Sequence, residues 1–364
     1  MMKSGYTKTN IPALRLTGHQ LSGSKLKTPG EVVAWAGAVQ AQEFGMAKWA
    51  IGVRLPDSTE ATVVEAFNRG DILRTHVLRP TWHFVTPENI RWMLALSADR
   101  IKASARSRDR DLEITETLYS RTGRLIEKAL EGNRHLTRED VACVLEKANI
   151  RTDPARMTHF LMRAEVEGIV CSGRLQGKTH TYALLDGRAA PAPALHREEA
   201  LVRLAGIYFT SHSPATLQDF AWWSGLSQTE AQSGLSAVQA DLLAEKTNGL
   251  TYYRPASTSA CTRETPAQAH LLPAFDEYII AYRDRGAVLP AENYAGVISS
   301  NGIFRPVILV NGIVAGLWKR TASRRRPLEL NSFTPPDAFA ESLIRQAASR
   351  YLSFRTETNG EMER

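Results

Sequence analysis

Two glutamines separated by a single residue, Gln40 and Gln42, are the side chains best suited to chemistry in this sequence of 364 residues. They lie in an apolar setting, and their amides can accept and donate hydrogen bonds without carrying charge. On a regular helix the two side chains would point about 200° apart and could not reach one substrate. They converge only if the helix ends or bends nearby, and Gly45 suits a helix end. The alternative interpretation is an ordinary polar helix surface.

Signatures of other kinds of catalysis are absent from the sequence. The nine histidines are scattered and form no HxH or HxxxH pattern that could aim two ligands at one metal ion. The sequence contains no GxxxxGK[ST] phosphate loop, no GxGxxG motif and no GxSxG nucleophile turn. The three cysteines, Cys143, Cys171 and Cys261, are far apart. We therefore expect no metal, no cofactor and no disulfide framework.

Positive charge is the second feature that indicates function. The net charge is +7 and the isoelectric point is about 9.4, which suits a polyanionic partner. Clustered arginines beside a hairpin strand favour phosphates or a minor groove, and a solvated turn is the alternative. A second basic stretch, 100–110, is either a solvated helix face or a phosphate contact. The hairpin cluster consists of Lys319, Arg320, Arg324, Arg325 and Arg326.

The overall composition predicts a cytoplasmic protein. Mean hydropathy is −0.26, and the apolar runs are far shorter than the roughly 20 residues that a membrane span needs. The first 16 residues are basic but lack the apolar core of a secretory signal. Widely spaced cysteines also fit a reducing compartment.

The clearest structural pattern lies in residues 113–185. Apolar residues at helical spacing predict three helices, and Thr137 followed by Asp140 predicts the start of the second. Two β-rich runs, 169–173 and 179–184, then predict a hairpin. Three helices followed by a hairpin is the order of a winged helix-turn-helix.

The same pattern returns about 80 residues later, which indicates an internal repeat. Thr216 and Asp219 repeat the spacing that opens the second helix, and Ser227 caps a third helix. Asn248-Gly249 predicts the turn of a closing hairpin.

The two ends of the chain fit this organisation less regularly. A helix from Thr28 through Val39 and a β-rich run over 72–85 predict a first unit. Strands around Asn311-Gly312 predict a different C-terminal part. Its closing helix over 337–351 is predicted to be amphipathic, and its apolar face consists of Phe339, Leu343, Ile344 and Ala347. The fold class is therefore mainly α with β wings (α+β), with three tandem winged helix-turn-helix units and a β-rich C-terminal part. The predicted boundaries are 1–111, 112–190 and 191–256 for the winged helices and 257–364 for the C-terminal part.

Several stretches resemble one family of proteins. Gln40-Ala41-Gln42 resembles the QxQ motif of the bacterial winged-helix DNA glycosylases of the AlkZ/YcaQ type, which are linked to repair of alkylated and crosslinked DNA. Residues 78–85 are similar to the family's R-G-T-x-H stretch, with Pro80 in place of the usual Gly. The stretches 271–285 and 301–306 extend the resemblance over nearly the whole chain. QxQ alone is a weak signal, whereas the four stretches in this order are specific.

The resemblance implies a monofunctional DNA glycosylase in which Gln40 and Gln42 are catalytic. Its substrates would be cationic N-alkylpurines such as N7-alkylguanine in double-stranded DNA, and the second glutamine suggests the branch that unhooks interstrand crosslinks. Arg79, Thr81 and His83 would line the site, with packing within a wing as the alternative for Thr81 and His83. The family fold has tandem winged helices around a basic concave surface. We expect a monomer associated with the nucleoid.

The competing hypothesis is a non-catalytic DNA-binding protein or transcriptional regulator of the same architecture. A regulator normally pairs one recognition helix with dimer symmetry, so three unlike units and a QxQ motif favour the enzyme. The arginine clusters disfavour a protein-binding scaffold.

Overall fold

The computed structural model describes residues 10–257, 266–323 and 325–356. It is a mixed α/β structure in which half of the chain is helical and 17% is in strands. The predictions that concern Cys261 and Arg324 fall outside the described residues.

The chain divides into two compact units. One unit, called here the inserted unit, comprises residues 65–200. The other, called here the discontinuous unit, combines the described parts of 1–64 and 201–364. The inserted unit therefore interrupts the sequence of the discontinuous unit.

The inserted unit contains a hairpin, a long helix and a further group of three helices with a small sheet. Its elements are β2 Leu73–His76, β3 Trp82–Val85, α5 Pro87–Asp111, α6 Glu116–Leu130, β4 Leu136–Thr137, α7 Arg138–Lys147, α8 Pro154–Val166, β5 Val170–Ser172 and β6 Thr181–Leu184. Strands β2 and β3 are antiparallel, and the small sheet has the order β4-β6-β5.

Local sequence signals account for the order of elements from α6 to β6. Gly132 and Asn133 have positive φ values after α6, and Thr137 caps α7 in a capping box with Asp140. Apolar faces of the three helices then pack into one buried cluster that includes Phe160. The predicted order of three helices and a hairpin is confirmed in this segment.

The discontinuous unit contains most of the remaining helices and two sheets. Two helices, α4 Glu60–Arg69 and α9 Arg197–Ser211, cross the boundaries between the units. The other elements are α1 Asn10–Gly18, α2 Pro29–Ala36, β1 Val39–Gln40, α3 Phe44–Gly52, α10 Leu217–Ser224, α11 Gln228–Val238, β7 Leu242–Thr247, β8 Leu250–Pro255, β9 Ala269–Leu272, α12 Glu277–Ile280, α13 Tyr294–Val297, β10 Val307–Val310, β11 Ile313–Arg320, β12 Leu328–Ser332 and α14 Ala338–Arg355.

The repeat signals in this unit also correspond to real helix ends. Thr216 and Ser227 each form a capping box, with Asp219 and Glu230 respectively. Asn248 and Gly249 have positive φ values and join β7 to β8 as the predicted hairpin. The sequence therefore located the start of α10, the start of α11 and the following turn.

The C-terminal sheet packs against the last helix. It is antiparallel with the order β12-β11-β10-β9, and the Trp318 ring lies 4.7 Å from the Tyr351 ring of α14. The indole of Trp318 donates to the carbonyl of Leu272 at 2.7 Å. Prediction of this helix was wrong at one position, because Phe339 is 64% exposed instead of buried. The buried face begins later, at Ile344.

The predicted helix through Val39 was wrong. Helix α2 ends at Ala36 because Gly37 adopts a φ of 78°. Residues other than glycine rarely take a positive φ of this size. Residues Val39–Gln40 then form strand β1. The predicted helix end at Gly45 was also wrong, because Gly45 lies in the first turn of α3.

Gly37→Ala should destabilise the protein. Besides the positive φ, a Cβ at this position would lie 2.6 Å from the Cγ2 atom of Ile207, so the backbone or its neighbour must move. We expect a loss of about 1–3 kcal/mol in the free energy of unfolding, measured by urea denaturation.

Gly45→Ala is the matched control for this prediction. A Cβ there would meet nothing within 4 Å, and the residue is helical. Alanine should therefore be neutral or stabilise by up to about 1 kcal/mol. Equal effects of the two substitutions would contradict the role assigned to Gly37.

Candidate active site

The main chain around the two glutamines is not helical. Gln40 ends the two-residue strand β1 and is 9% exposed, whereas Gln42 is exposed and sits in a bend before α3. The separation of about 200° between side chains two positions apart holds only for a regular helix. It therefore does not apply to Gln40 and Gln42.

Glu277 holds the main chain of Gln40. Its side chain is 2% exposed, and Oε1 accepts the N–H of Gln40 at 2.8 Å. Oε2 accepts the indole N–H of Trp223 at 3.0 Å, and Nε2 of His212 lies 3.9 Å from the same oxygen. Because its two oxygens are held by donors from different parts of the chain, the carboxylate has a fixed orientation.

A buried ion pair positions Glu277. Asp276 caps α12 by accepting the N–H of Tyr278 at 2.9 Å, so Glu277 is the first residue of that helix. The two carboxylate oxygens of Asp276 accept from the guanidinium of Arg54 at 2.7 and 2.8 Å. Arg54 also donates to the carbonyl of His19 at 2.9 Å. A bidentate pair of this kind fixes geometry more strongly than a single contact does.

The buried histidines near this network are neutral at pH 7. Burial lowers the pKa of His19 well below its ordinary value of 6.5, and burial also lowers the pKa of His212, although Glu277 opposes that shift. His19 Nε2 and the Tyr282 hydroxyl are 2.7 Å apart, and that hydroxyl donates to the carbonyl of His212 at 2.7 Å. His212, whose Nε2 lies 3.9 Å from Oε2 of Glu277, therefore faces that carboxylate as a neutral ring.

The stretch Arg79–His83 lies in the inserted unit. Arg79 and Thr81 belong to the connection between β2 and β3, and His83 belongs to β3. Leu78 has a φ of 61°, and the N–H of Thr81 donates to the carbonyl of Arg79 at 2.7 Å. The ring of His83 is buried, with Nδ1 2.9 Å from the carbonyl oxygen of Thr81. The Thr81 hydroxyl is buried and makes no hydrogen bond within the described chain. Arg79 is half-buried.

A second buried carboxylate supports this stretch. Glu165 is 1% exposed and accepts the main-chain N–H of His76 at 3.1 Å and the indole N–H of Trp82 at 3.3 Å. Its Oε2 also contacts Nδ1 of His76. The Arg74 guanidinium lies 4.2 Å from the centre of the Trp82 ring. Glu165 thus accepts from the same two kinds of donor as Glu277, a main-chain N–H and an indole N–H.

The predicted basic hairpin is the connection between β11 and β12. Lys319 and Arg320 end β11 and are exposed, and Arg325 and Arg326 are exposed in the loop. Lys319 forms an ion pair of 3.0 Å with Glu329, so part of its charge is already compensated. Arg324 lies outside the described residues.

The second basic stretch lies on α5 of the inserted unit. Its exposed arginines are Arg106, Arg108 and Arg110, and Arg108 pairs with Asp111 at 3.5 Å. This arrangement is compatible with both predicted roles, a solvated face and a phosphate contact.

The predicted site residues are divided between the two units. Gln40, Gln42 and the basic hairpin belong to the discontinuous unit, whereas Arg79, Thr81 and His83 belong to the inserted unit. Within the described residues no group of three or more His, Cys, Asp or Glu side chains could hold a metal ion. No helix in the same ranges has both the length and the apolar character to cross a membrane.

The sequence did not identify the residues that support the main chain of Gln40, directly or through Glu277. These residues are Glu277, Trp223 and Arg54. One signal was available, because Asp276-Glu277 interrupts the apolar run between Leu271 and Ile280. Charged residues within such a run are buried only when they are paired.

Comparison with known proteins agrees with this fold. The model of the family "DNA glycosylase AlkZ-like" matches residues 33–354. The "Interstrand DNA cross-link repair glycosylase" of Streptomyces sahachiroi is 23% identical over 311 residues, covering 79% of this chain and 81% of that protein. The solved structure of the Streptomyces sahachiroi DNA glycosylase AlkZ superimposes with a TM-score of 0.81. It is 18% identical and covers 96% of this chain and 97% of its own, and it therefore shares the fold.

These findings define the chain as a DNA glycosylase. It belongs to the AlkZ-like family, since the family model spans most of its length. The family predicted from the four sequence stretches is confirmed.

Acid should destabilise the protein through its buried histidines. Burial lowers the pKa of His270 to about 3, with smaller contributions from Arg350 and Arg54. Between that value and the unfolded pKa of about 6.5, the unfolded chain binds more protons than the folded chain does. The free energy of unfolding should therefore fall as the pH drops below about 6.5, by up to about 1.4 kcal/mol per pH unit for each such histidine.

His270→Gln tests this expectation by urea denaturation across that pH range. The substitution removes the titrating group while keeping a side chain that can hydrogen-bond to Gln268. The slope of stability against pH should decrease, whereas the same substitution at the exposed His196 should leave it unchanged. An unchanged slope in the His270 variant would rule out the assigned source of the acid sensitivity.

Proposed function

We propose that this glycosylase hydrolyses the N-glycosidic bond of cationic N-alkylpurines, above all N7-alkylguanine, in double-stranded DNA. The observation that carries the proposal is the placement of Gln40 at the end of β1, where Glu277 accepts its main-chain N–H, with Gln42 exposed in the bend that follows. The name of the Streptomyces sahachiroi relative supports the extension of this activity to unhooking of interstrand crosslinks.

The chemistry suits neutral amides. An N7-alkylated guanine carries a positive charge, so its glycosidic bond is weakened and the leaving base needs no general acid. What remains is to hold a water molecule below C1′ and to accommodate a developing oxocarbenium ion. The amide oxygens of Gln40 and Gln42 can accept hydrogen bonds from that water and face the partial positive charge. No metal or cofactor is required for this reaction.

The enzyme is proposed to be monofunctional. Lyase action needs an amine that attacks C1′, and the lysine nearest to the glutamines in sequence is Lys48. Its amine forms an ion pair with Glu60 and lies above the ring of Phe44. An amine held in this way is not a free nucleophile, so the product should be an abasic site in an uncut strand.

The proposed DNA interface combines basic and winged elements. We propose three winged-helix units with the boundaries given above, 1–111, 112–190 and 191–256, followed by the C-terminal part 257–364. The exposed arginines of the β11–β12 hairpin would contact phosphates or the minor groove, and Arg79, Thr81 and His83 would line the site. A monomer in the cytoplasm, associated with the nucleoid, is the corresponding expectation.

Removal of either glutamine amide should slow base release without weakening DNA binding. We expect Gln42→Ala to lower the single-turnover rate on N7-methylguanine duplex by on the order of 10²-fold, because a water-positioning group is lost. Duplex affinity should stay constant, since a neutral amide contributes little to phosphate binding. Gln346→Ala, at an exposed glutamine of α14, is the matched control.

Two outcomes would contradict this proposal in different ways. Wild-type rates in both Gln40→Ala and Gln42→Ala would exclude the glutamine mechanism. Tight duplex binding by the wild-type protein, without release of any cationic N-alkylpurine, would favour the non-catalytic hypothesis.

Substitutions in the basic hairpin should change the salt dependence of binding. Each phosphate contact contributes a slope of about 0.9 to the decrease of log K with log salt. Replacement of Arg324, Arg325 and Arg326 together by alanine should therefore flatten the slope by roughly 2–3, as measured by fluorescence anisotropy.

Arg345→Ala provides the matched control, because this exposed arginine lies on α14 in an ion pair with Glu341. The Arg345→Ala variant should show the same slope of log K against log salt as the wild type. If the hairpin variant also keeps the wild-type slope, the phosphate contacts lie elsewhere, and alanine substitution of Arg106, Arg108 and Arg110 tests α5.

A further inference from the structure

We propose that Glu277 is a positioning residue for base release, acting by fixing the main chain of the catalytic Gln40 through a buried hydrogen bond. This inference rests on the proposed catalytic role of Gln40. It assigns a function to a carboxylate that accepts the main-chain N–H of the first glutamine of the motif.

A continuous set of buried contacts lies behind the main chain of Gln40. The Arg54 guanidinium binds both oxygens of Asp276, and Asp276 caps the helix that begins at Glu277. The carboxylate of Glu277 then accepts the N–H of Gln40 at 2.8 Å. Each link is buried, so water cannot readily replace any of these partners.

The hydrogen bond to Glu277 also sets the direction of the Gln40 side chain. In an extended chain the side chain leaves Cα roughly perpendicular to the main-chain hydrogen bonds. An N–H held by Glu277 therefore fixes the side from which the Gln40 side chain emerges. Amide groups orient a water molecule well only if their own positions vary little, and a displacement of about 1 Å in an active site can cost on the order of 10²-fold in rate.

A neutral isostere cannot replace the carboxylate of Glu277. Both oxygens of Glu277 accept hydrogen bonds, one from Gln40 and one from the indole of Trp223. A carboxamide has one acceptor oxygen, and its NH₂ group would face one of the two donors. Hydrogen bonds to a carboxylate are also stronger than those to an amide.

Glu277→Gln should therefore slow catalysis specifically. We expect the single-turnover rate at saturating enzyme to fall by about 10-fold to 10²-fold, while the duplex dissociation constant stays constant. A second readout does not depend on catalysis. The Gln40 amide proton should exchange with deuterium faster in the variant, because its acceptor is weakened or lost.

A double substitution separates positioning from loss of structure. In Glu277→Gln combined with Trp223→Phe, the competing indole donor is gone, and the carboxamide oxygen can turn to the N–H of Gln40. The double variant should therefore release base faster than Glu277→Gln alone, although it carries one more substitution in the core. A purely structural role predicts the opposite, since each change would lower stability and rate further.

Asp219→Asn is the control for loss of a buried carboxylate. Asp219 is 1% exposed and accepts the N–H of Thr216 at 3.0 Å and the N–H of Arg283 at 2.9 Å. At a temperature where every variant is folded, its saturated rate should equal that of the wild type.

The results distinguish failure of this inference from failure of the proposed function. Faster exchange at Gln40 with an unchanged rate, or a double variant slower than Glu277→Gln, would overturn the positioning role. A wild-type rate in Gln40→Ala would instead refute the catalytic role of that glutamine, whatever the exchange data show.

Discussion

The buried carboxylate of Glu277 is the constraint on which the arrangement around Gln40 depends. A desolvated charge is tolerated only where several donors compensate it, and removal of one partner from a buried charged group is strongly destabilising. This requirement explains why an indole N–H and a main-chain N–H both point at the same side chain. It also explains why the helix that carries Glu277 is anchored by the Arg54–Asp276 pair. The main chain of Gln40 is thus supported by a buried network of ion pairs and hydrogen bonds.

Local features of the fold could be predicted from the sequence because the interactions that create them are local. A capping box joins residues three positions apart, so Thr137, Thr216 and Ser227 all marked true helix starts. The Asn-Gly turns at Asn248 and Asn311 likewise need only a backbone that tolerates positive φ. The family could be predicted because its stretches occur in a fixed order along the chain.

The surroundings of the site could not be predicted, because they depend on contacts between distant residues. Glu277 is 237 positions from Gln40, and no periodicity links the two. The end of α2 was missed for a related reason, since Val39 continues an apolar helical pattern and Gly37 breaks it only through its backbone. Phe339 shows the converse error, because an apolar residue at helical spacing is buried only if a partner element reaches it.

The discontinuity of the unit that carries the glutamines has a consequence for its synthesis. Residues 1–64 emerge from the ribosome first, but the segment 201–364 that completes their core follows only after the inserted unit. Domains generally fold as units during synthesis, so residues 65–200 can complete their core while the earlier segment still lacks its partners. The nascent chain therefore lacks Glu277, the acceptor of the Gln40 N–H, until after the inserted unit has been made. The hydrogen bond that holds Gln40 from behind can form only once residues beyond 201 have begun to fold.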